Sequence, residues 1–156
     1  MAESFNTWIM RLGFNLFPCY RRTGARVTYI AEDQREVRIK LPLNWTTRGY
    51  FGTTFGGSVY GAVDPVFMVM LNKLLGREFV AWDKAATIRF KRPGRATLYA
   101  RFTLDERELE AIRAELAQKP KVDRTYHVDL TDEKGVVHAS VEKMVNIRRR
   151  GSGRGA

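Results

Sequence analysis

Apolar residues recur along this chain with changing period. Phe5, Trp8, Ile9, Leu12 and Leu16 fall at helical spacing behind Ser4, a residue able to cap a helix, and Pro18 closes the run. The spacing predicts a helix over about residues 4–17. Two settings compete for it, a membrane surface and the flank of the domain. Arg11 is its only base, so an amphipathic helix packed on the domain is the expectation. From Arg26 the period falls to two. Val27, Tyr29 and Ala31 alternate, as do Val37, Ile39 and Leu41, and the polar AEDQRE between them reads as a turn. A first hairpin follows, closed by Pro42 and Asn44.

The stretch Gly49–Leu75 organises the chain. It opens loop-like with Gly49, Gly52, Thr53 and Thr54, reaches Phe55-Gly56-Gly57, and then becomes almost uninterruptedly apolar. A helix apolar nearly all round should be buried on most sides. Gly61, Asp64 and Pro65 interrupt it, and it is too short to span a bilayer. Pro65 removes one helical hydrogen bond and crowds the carbonyl of residue 61, so a kink is expected there. Asp64 is the single acid of the run, and a carboxylate so placed has either a partner or a chemical task.

Beyond Gly76 the alternation predicts a long strand over about Phe79–Phe90, with Val80, Trp82, Ala86, Ile88 and Phe90 on one face. Strict alternation adds Lys84 to that face, as a possible partner for Asp64. Pro93-Gly94 marks a turn, and Leu98, Ala100, Phe102 and Leu104 alternate in another strand. Asp105 with Glu108 has the form of a cap before a helix carrying Leu109, Ile112 and Leu116, stopped by Lys119-Pro120. Two last strands, about His127–Leu130 and Val136–Ile147, are joined through residues 132–135. The order is helix, two strands, buried helix, then four strands with a short helix inserted. A single antiparallel sheet curling around one hydrophobic helix satisfies it, an α+β class.

Composition adds limits. A chain of 156 residues with 44% hydrophobic and 28% charged residues is sized and balanced for one domain with one core. Residues 1–150 are read as that domain and 151–156 as a flexible basic tail. Cys19 is the only cysteine, which excludes an internal disulfide framework and a cysteine-rich metal site; it is read as a small buried hydrophobe. A reducing, cytoplasmic setting is expected. Of the net charge of +10, Arg148, Arg149, Arg150 and Arg154 supply +4, which leaves +6 scattered over the body. Without an aromatic-interleaved basic motif, this disfavours nucleic acid and suits an anionic small molecule.

The set Asn44, Gly52-Thr53, Phe55-Gly56-Gly57, Asp64-Pro65, Trp82-Asp83-Lys84, Ile88, Phe90 and Pro93-Gly94 resembles a subfamily of hotdog-fold proteins, the domain of unknown function 4442. The resemblance runs from about Leu12 to Arg149. Its Gly56-Gly57 followed by Asp64 is also similar to the motif of phenylacetic-acid-type acyl-CoA thioesterases, in which His-Gly-Gly opens the central helix and an acid follows. The resemblance implies a hotdog fold, a homo-oligomer (dimer or tetramer), a cleft between subunits, and hydrolysis of acyl-CoA or a related thioester without metal or cofactor. Asp64 would be the base or nucleophile, and backbone N–H groups at Gly56 and Gly57 the oxyanion donors. Tight helix–sheet packing is the other reason for two glycines there. Phe55, Tyr60 and Trp82 would line the acyl pocket, Asn44, Thr53 and Thr54 would orient water or thioester, and Lys84 would sit beside Asp64. Arg89, Lys91, Arg92 and Arg95 would be placed to meet the phosphates of coenzyme A.

One departure weighs against hydrolysis: the motif histidine is Phe55 here, and the two histidines, His127 and His138, lie on late strands. A hotdog dehydratase, which needs a histidine with an acid, is disfavoured. A non-catalytic acyl-ligand-binding protein is the alternative to the thioesterase. No membrane partner is expected.

Overall fold

The computed structural model describes residues 4–151. The expected tail at 151–156 therefore lies, from residue 152 onward, outside the described residues. Among the described residues five helices and six strands follow one another as α1 (Phe5–Leu16), α2 (Pro18–Arg22), β1 (Arg26–Ile30), β2 (Glu36–Leu41), α3 (Gly56–Val63), α4 (Val66–Leu74), β3 (Phe79–Phe90), β4 (Leu98–Thr103), α5 (Glu106–Leu116), β5 (Lys121–Thr131) and β6 (Val137–Arg149). The strands form one antiparallel sheet in the order β1-β2-β4-β5-β6-β3. Val59, Ala62, Val63, Val66, Phe67, Met70 and Leu71 of α3 and α4 pack into the core against its concave face. This is the hotdog arrangement, and the sheet has one long open side at β3.

Local chemistry accounts for the breaks. Pro65 cannot donate a backbone bond, and the central run divides at Asp64-Pro65 into α3 and α4. Tyr20 braces the division from α2, its hydroxyl donating to the Ala62 carbonyl at 3.0 Å. Asp105 caps α5 through the N–H of Glu108, as its spacing predicts, and Leu109, Ile112 and Leu116 are buried. The fifth strand begins at Lys121, directly after Pro120, and is much longer than the short run predicted.

Three faces differ from expectation. In α1, Phe5, Trp8, Ile9, Leu12 and Leu16 are 42–73% exposed. The helix meets the domain instead through buried Thr7 and partly buried Met10 and Phe14. Asn15 fixes it there, its amide bonding the N–H and C=O of Val27 at 2.7 and 2.9 Å. The apolar stripe thus faces outward, because hydrogen bonding and an aromatic contact of Phe14 with Tyr20 (4.7 Å) orient the helix, not its hydrophobic periodicity. Pro18 does not simply end a helix; it is the first residue of α2. Cys19, on α2, is exposed rather than buried.

The second difference is in β3. A bulge between Asp83 and Ala85 inserts one residue, so Ala81 and Asp83 pair with Ile147 and Val145, and Ala86, Ile88 and Phe90 with Lys143, Val141 and Ala139. Phe79, Ala81 and Asp83 therefore share the helix-side face with Ala86, Ile88 and Phe90. Trp82 and Lys84 turn to the other side, where both are exposed. A bulge between Val27 and Tyr29 likewise brings Ile30, not Tyr29, inward with Val27. The third difference is that α4 is not enclosed on most sides: Met68 and Val69 are only partly buried and line a cavity beneath α1.

Candidate functional site

Two clefts flank α3, one at each end. At its C-terminal end Asp64 stands on the wall of a cavity of about 800 Å3. Apolar side chains dominate the lining, among them Met10 and Phe14 of α1, Ile30 of β1, and Met68, Val69 and Met70 of α4. The Asp64 side chain is 42% exposed. Its Oδ1 accepts a hydrogen bond of 2.8 Å from Lys143 Nζ, which reaches in from β6 and is completely buried.

Lys143 also meets Asp83 Oδ2 at 3.1 Å and the Tyr60 hydroxyl at 3.3 Å, with the Tyr60 ring centroid 5.2 Å away. One buried ammonium thus joins two carboxylates and a phenol. Burial works to lower the Lys143 pKa, but the bonds to Asp64 and Asp83 outweigh it and hold the value above that of an ordinary lysine. Burial also pushes the Asp83 carboxyl up, against the pull of Lys143. Asp83 Oδ1 is buried without a hydrogen-bond partner, an expensive position for a carboxylate oxygen. The Tyr60 phenol is raised as well, first by burial and then by its bond to Asp64.

The N-terminal end of α3 is built differently. Among the described residues no side chain caps it, and the first helical bond is that of Val59 N–H to Phe55 O at 3.1 Å. The N–H groups of its first turn therefore point out with the positive end of the helix dipole. A cleft of about 390 Å3 adjoins them, lined by Thr53, Thr54, Gly56, Lys91, Arg92 and His138 among others. Both glycines also serve packing. A Cβ on Gly56 would lie 3.1 Å from Phe90 Cζ, and one on Gly57 only 2.4 Å from Phe55 Cε1. The Phe55 ring thus lies against Gly57 while remaining 58% exposed. Thr54 ties the loop to the turn before β4, its N–H donating to Gly94 O at 2.8 Å.

Other residues singled out in the sequence fall elsewhere. Lys84 does not reach Asp64; it bonds Asp123 Oδ2 at 2.6 Å on the outer face of the sheet. Trp82 lies on that outer face too, away from the Asp64 cavity. Asn44 shapes a turn, its Oδ1 accepting from the Thr46 N–H and hydroxyl at 2.9 and 2.6 Å. Arg89 and Arg95 are exposed and line neither cleft. His138 is locked in its hairpin, with Nδ1 3.1 Å from Pro93 O and Nε2 3.1 Å from Asp132 Oδ2, and His127 is exposed beside Glu142. Among the described residues no group of three His, Cys, Asp or Glu side chains is placed to hold a metal ion.

Lys143 and Asp83 escape a reading that follows Lys84. The signal is present: Ala139, Val141, Lys143, Val145 and Ile147 alternate without a break, and the lysine is the one polar member of a core-facing register. Asp83 is hidden by the bulge that follows it.

The family model described as domain of unknown function (DUF4442) matches residues 6–147. The chain belongs to that family. No curated protein matches the sequence. Solved structures share the fold over nearly the whole chain. A Pseudomonas aeruginosa protein of unknown function, called a probable thioesterase, is 20% identical with a TM-score of 0.80, over 92% of this chain and 95% of its own. A Haemophilus influenzae thioesterase is 12% identical with a TM-score of 0.70, over 94% and 93%. The PaaI protein of the Escherichia coli phenylacetic acid degradation operon is 18% identical with a TM-score of 0.64, over 96% and 97%.

Proposed function

We propose that this member of the family hydrolyses acyl thioesters at a site shared between two copies of the chain. One copy would contribute Asp64 and its apolar cavity, the other the N-terminal end of α3. The observation that carries the reading is Asp64 itself: an acid on the wall of a large apolar cavity, oriented by a buried lysine. The names of the fold relatives, a probable thioesterase and a thioesterase, point to the same class.

A helix rises about 1.5 Å per residue, so Gly56 and Asp64 of one chain are separated by roughly 12 Å along α3. A general base and an oxyanion donor must both lie about 3 Å from one reacting carbonyl group or its water. The two ends of a single α3 cannot meet that demand, whereas two antiparallel helices side by side can. The open side of β3 offers a route to such a pair, since twelve residues of edge strand are a ready template for another strand. Asn72 of α4 already takes both backbone groups of Ala81, at 3.0 Å each, leaving the part beyond it for a partner.

In the reaction, water attacks the thioester carbonyl carbon while Asp64 takes its proton. Negative charge on the carbonyl oxygen is held by the N–H groups of the partner's Gly56 and Gly57. The C–S bond then breaks, and the thiolate leaves with the proton returned from Asp64. Lys143 acts as a positioning residue that fixes the carboxylate. The cavity is near the upper end of the range for small-molecule sites and accommodates a long aliphatic acyl chain. Lys91 and Arg92, beside the cleft at the start of α3, suit the phosphates of a coenzyme A carrier.

Thiol release from short, long and aromatic acyl-CoAs by wild type and Asp64→Asn tests the reading. Loss of a general base is expected to lower kcat by about 10^2 to 10^4 with binding retained. Binding without turnover in the wild type would replace this reading with that of an acyl-ligand-binding protein. The ion pair of Asp64 with Lys143 and the phenylalanine at position 55 favour that outcome as the second reading.

A further inference from the structure

We propose that α1 seats the protein on an anionic lipid surface, with Phe5, Trp8, Ile9 and Leu12 entering the boundary between headgroups and acyl chains. A surface helix ordinarily turns its apolar stripe inward and its polar residues to water. Here the outward row is the apolar one, while the inward contacts are Thr7, Met10, Phe14 and the Asn15 amide. Tryptophan, phenylalanine and leucine on one exposed helical face are the residues that lie well at a membrane interface. At 12 residues, α1 is about 18 Å long and can only lie flat. None of the described helices is long and apolar enough to cross a membrane.

Charge decides what covers this face. Arg21, Arg22 and Arg26 share a surface depression with Leu16 of that row, and no acid lies between Ser4 and Ala31. Arg21 and Arg22 form the exposed end of α2, just beyond the apolar row. A second copy meeting this face across a two-fold axis would bring +3 against +3, whereas an anionic leaflet neutralises it. The molecule as a whole, at +10, is drawn the same way. Asn44 and Thr46 share a surface depression with Leu16, Arg21 and Arg22, so the 89% exposed Trp45 between them adds an interfacial aromatic on the same side.

Docking so oriented would put lipid against the helix that walls the Asp64 cavity, since Met10, Phe14 and Phe17 line it. The proposal does not depend on hydrolysis.

The test is co-sedimentation of the full chain with vesicles of phosphatidylcholine alone, and of phosphatidylcholine with about a third phosphatidylglycerol. Binding is expected to the anionic vesicles, weakening steeply with salt at about fivefold per arginine engaged. Trp8→Ser with Leu12→Ser should lower the partition by at least about tenfold, as should Arg21→Glu with Arg22→Glu. Thermal unfolding, unchanged in both variants because all four side chains are exposed, is the control for folding whether or not the protein has turnover. Absence of wild-type binding to the anionic vesicles would overturn the proposal, as would binding indifferent to the serine variant. Loss of oligomer in that variant without vesicle binding would assign the face to a second copy instead.

Discussion

Lys84 and Lys143 sit on neighbouring antiparallel strands, and each pairs with aspartate, yet they occupy opposite physical worlds. Lys84 meets Asp123 at 2.6 Å on the outer face of the sheet, with 52% of its side chain in water. Lys143 meets Asp64 and Asp83 at 2.8 and 3.1 Å on the inner face, with none. The shorter contact is the weaker determinant of the fold. At the surface, water and salt already solvate both charges, and the pair returns little over what each has alone. On the inner face, one fully buried ammonium holds two partly buried carboxylates, and removing it leaves both without a counter-ion. Distance alone does not rank ion pairs; what would replace the partner does.

The difference has measurable consequences, the largest at Lys143. Lys143→Met is expected to destabilise by about 3–5 kcal/mol, read as a shift of the denaturant midpoint, because it leaves the Asp83 carboxylate, whose Oδ1 is buried, without a counter-ion and Asp64 without its anchor. Turnover should fall with it. Adding Asp83→Asn to Lys143→Met should restore roughly 1–3 kcal/mol, since it removes the stranded charge rather than a contact. If the double variant is no more stable than the single one, the cost arises from lost packing and the electrostatic contrast fails.

A pH series separates the two lysines more finely. The folded state holds the Lys143 proton more tightly than the unfolded chain does. Its contribution is therefore complete below the unfolded lysine value of about 10.4 and is lost as pH rises through the higher folded value. The stability gap between wild type and Lys143→Met should stay level from neutrality to about pH 10 and close above it. Tyr20 and Tyr126, whose phenols are also raised, first by burial, lose stability in the same direction in both proteins and cancel in the difference. The smallest effect belongs to Lys84→Met, expected within about 0.5 kcal/mol at any of these pH values. A loss several times larger would make the outer pair part of the structure's foundation.

How far these features can be read in advance follows from how local their causes are. The kink at Pro65, the Asp105 cap, the first hairpin and the bounds of β3 are set by residues within a few positions, and the sequence pattern contains them. The hotdog arrangement follows from element order and from the glycine–acid motif. What the pattern hides is phase. One extra residue after Asp83 reverses the facing of half of β3, so alternation counted from Ile88 and Phe90 carries Lys84 to the wrong side and conceals Asp83. The facing of α1 is hidden for another reason. Its stripe is apolar for a surface the isolated chain does not contain, while the contacts that orient it, Asn15 to Val27 and Phe14 to Tyr20, leave no periodic trace.

The bond from Tyr20 to Ala62 spans 42 residues, and that separation sets an order of events during synthesis. The N-terminal helices emerge first, but the helix they clamp arrives later, by about 2 to 8 s at ordinary elongation rates of roughly 5–20 residues per second. Through that interval α1 has its early contacts, Asn15 with Val27 and Phe14 with Tyr20, while the Tyr20 hydroxyl still lacks its acceptor and the outward apolar row stays uncovered. The arm that is made first is clamped only when the central helix arrives, and a nascent chain paused before residue 62 would expose its apolar row without that clamp.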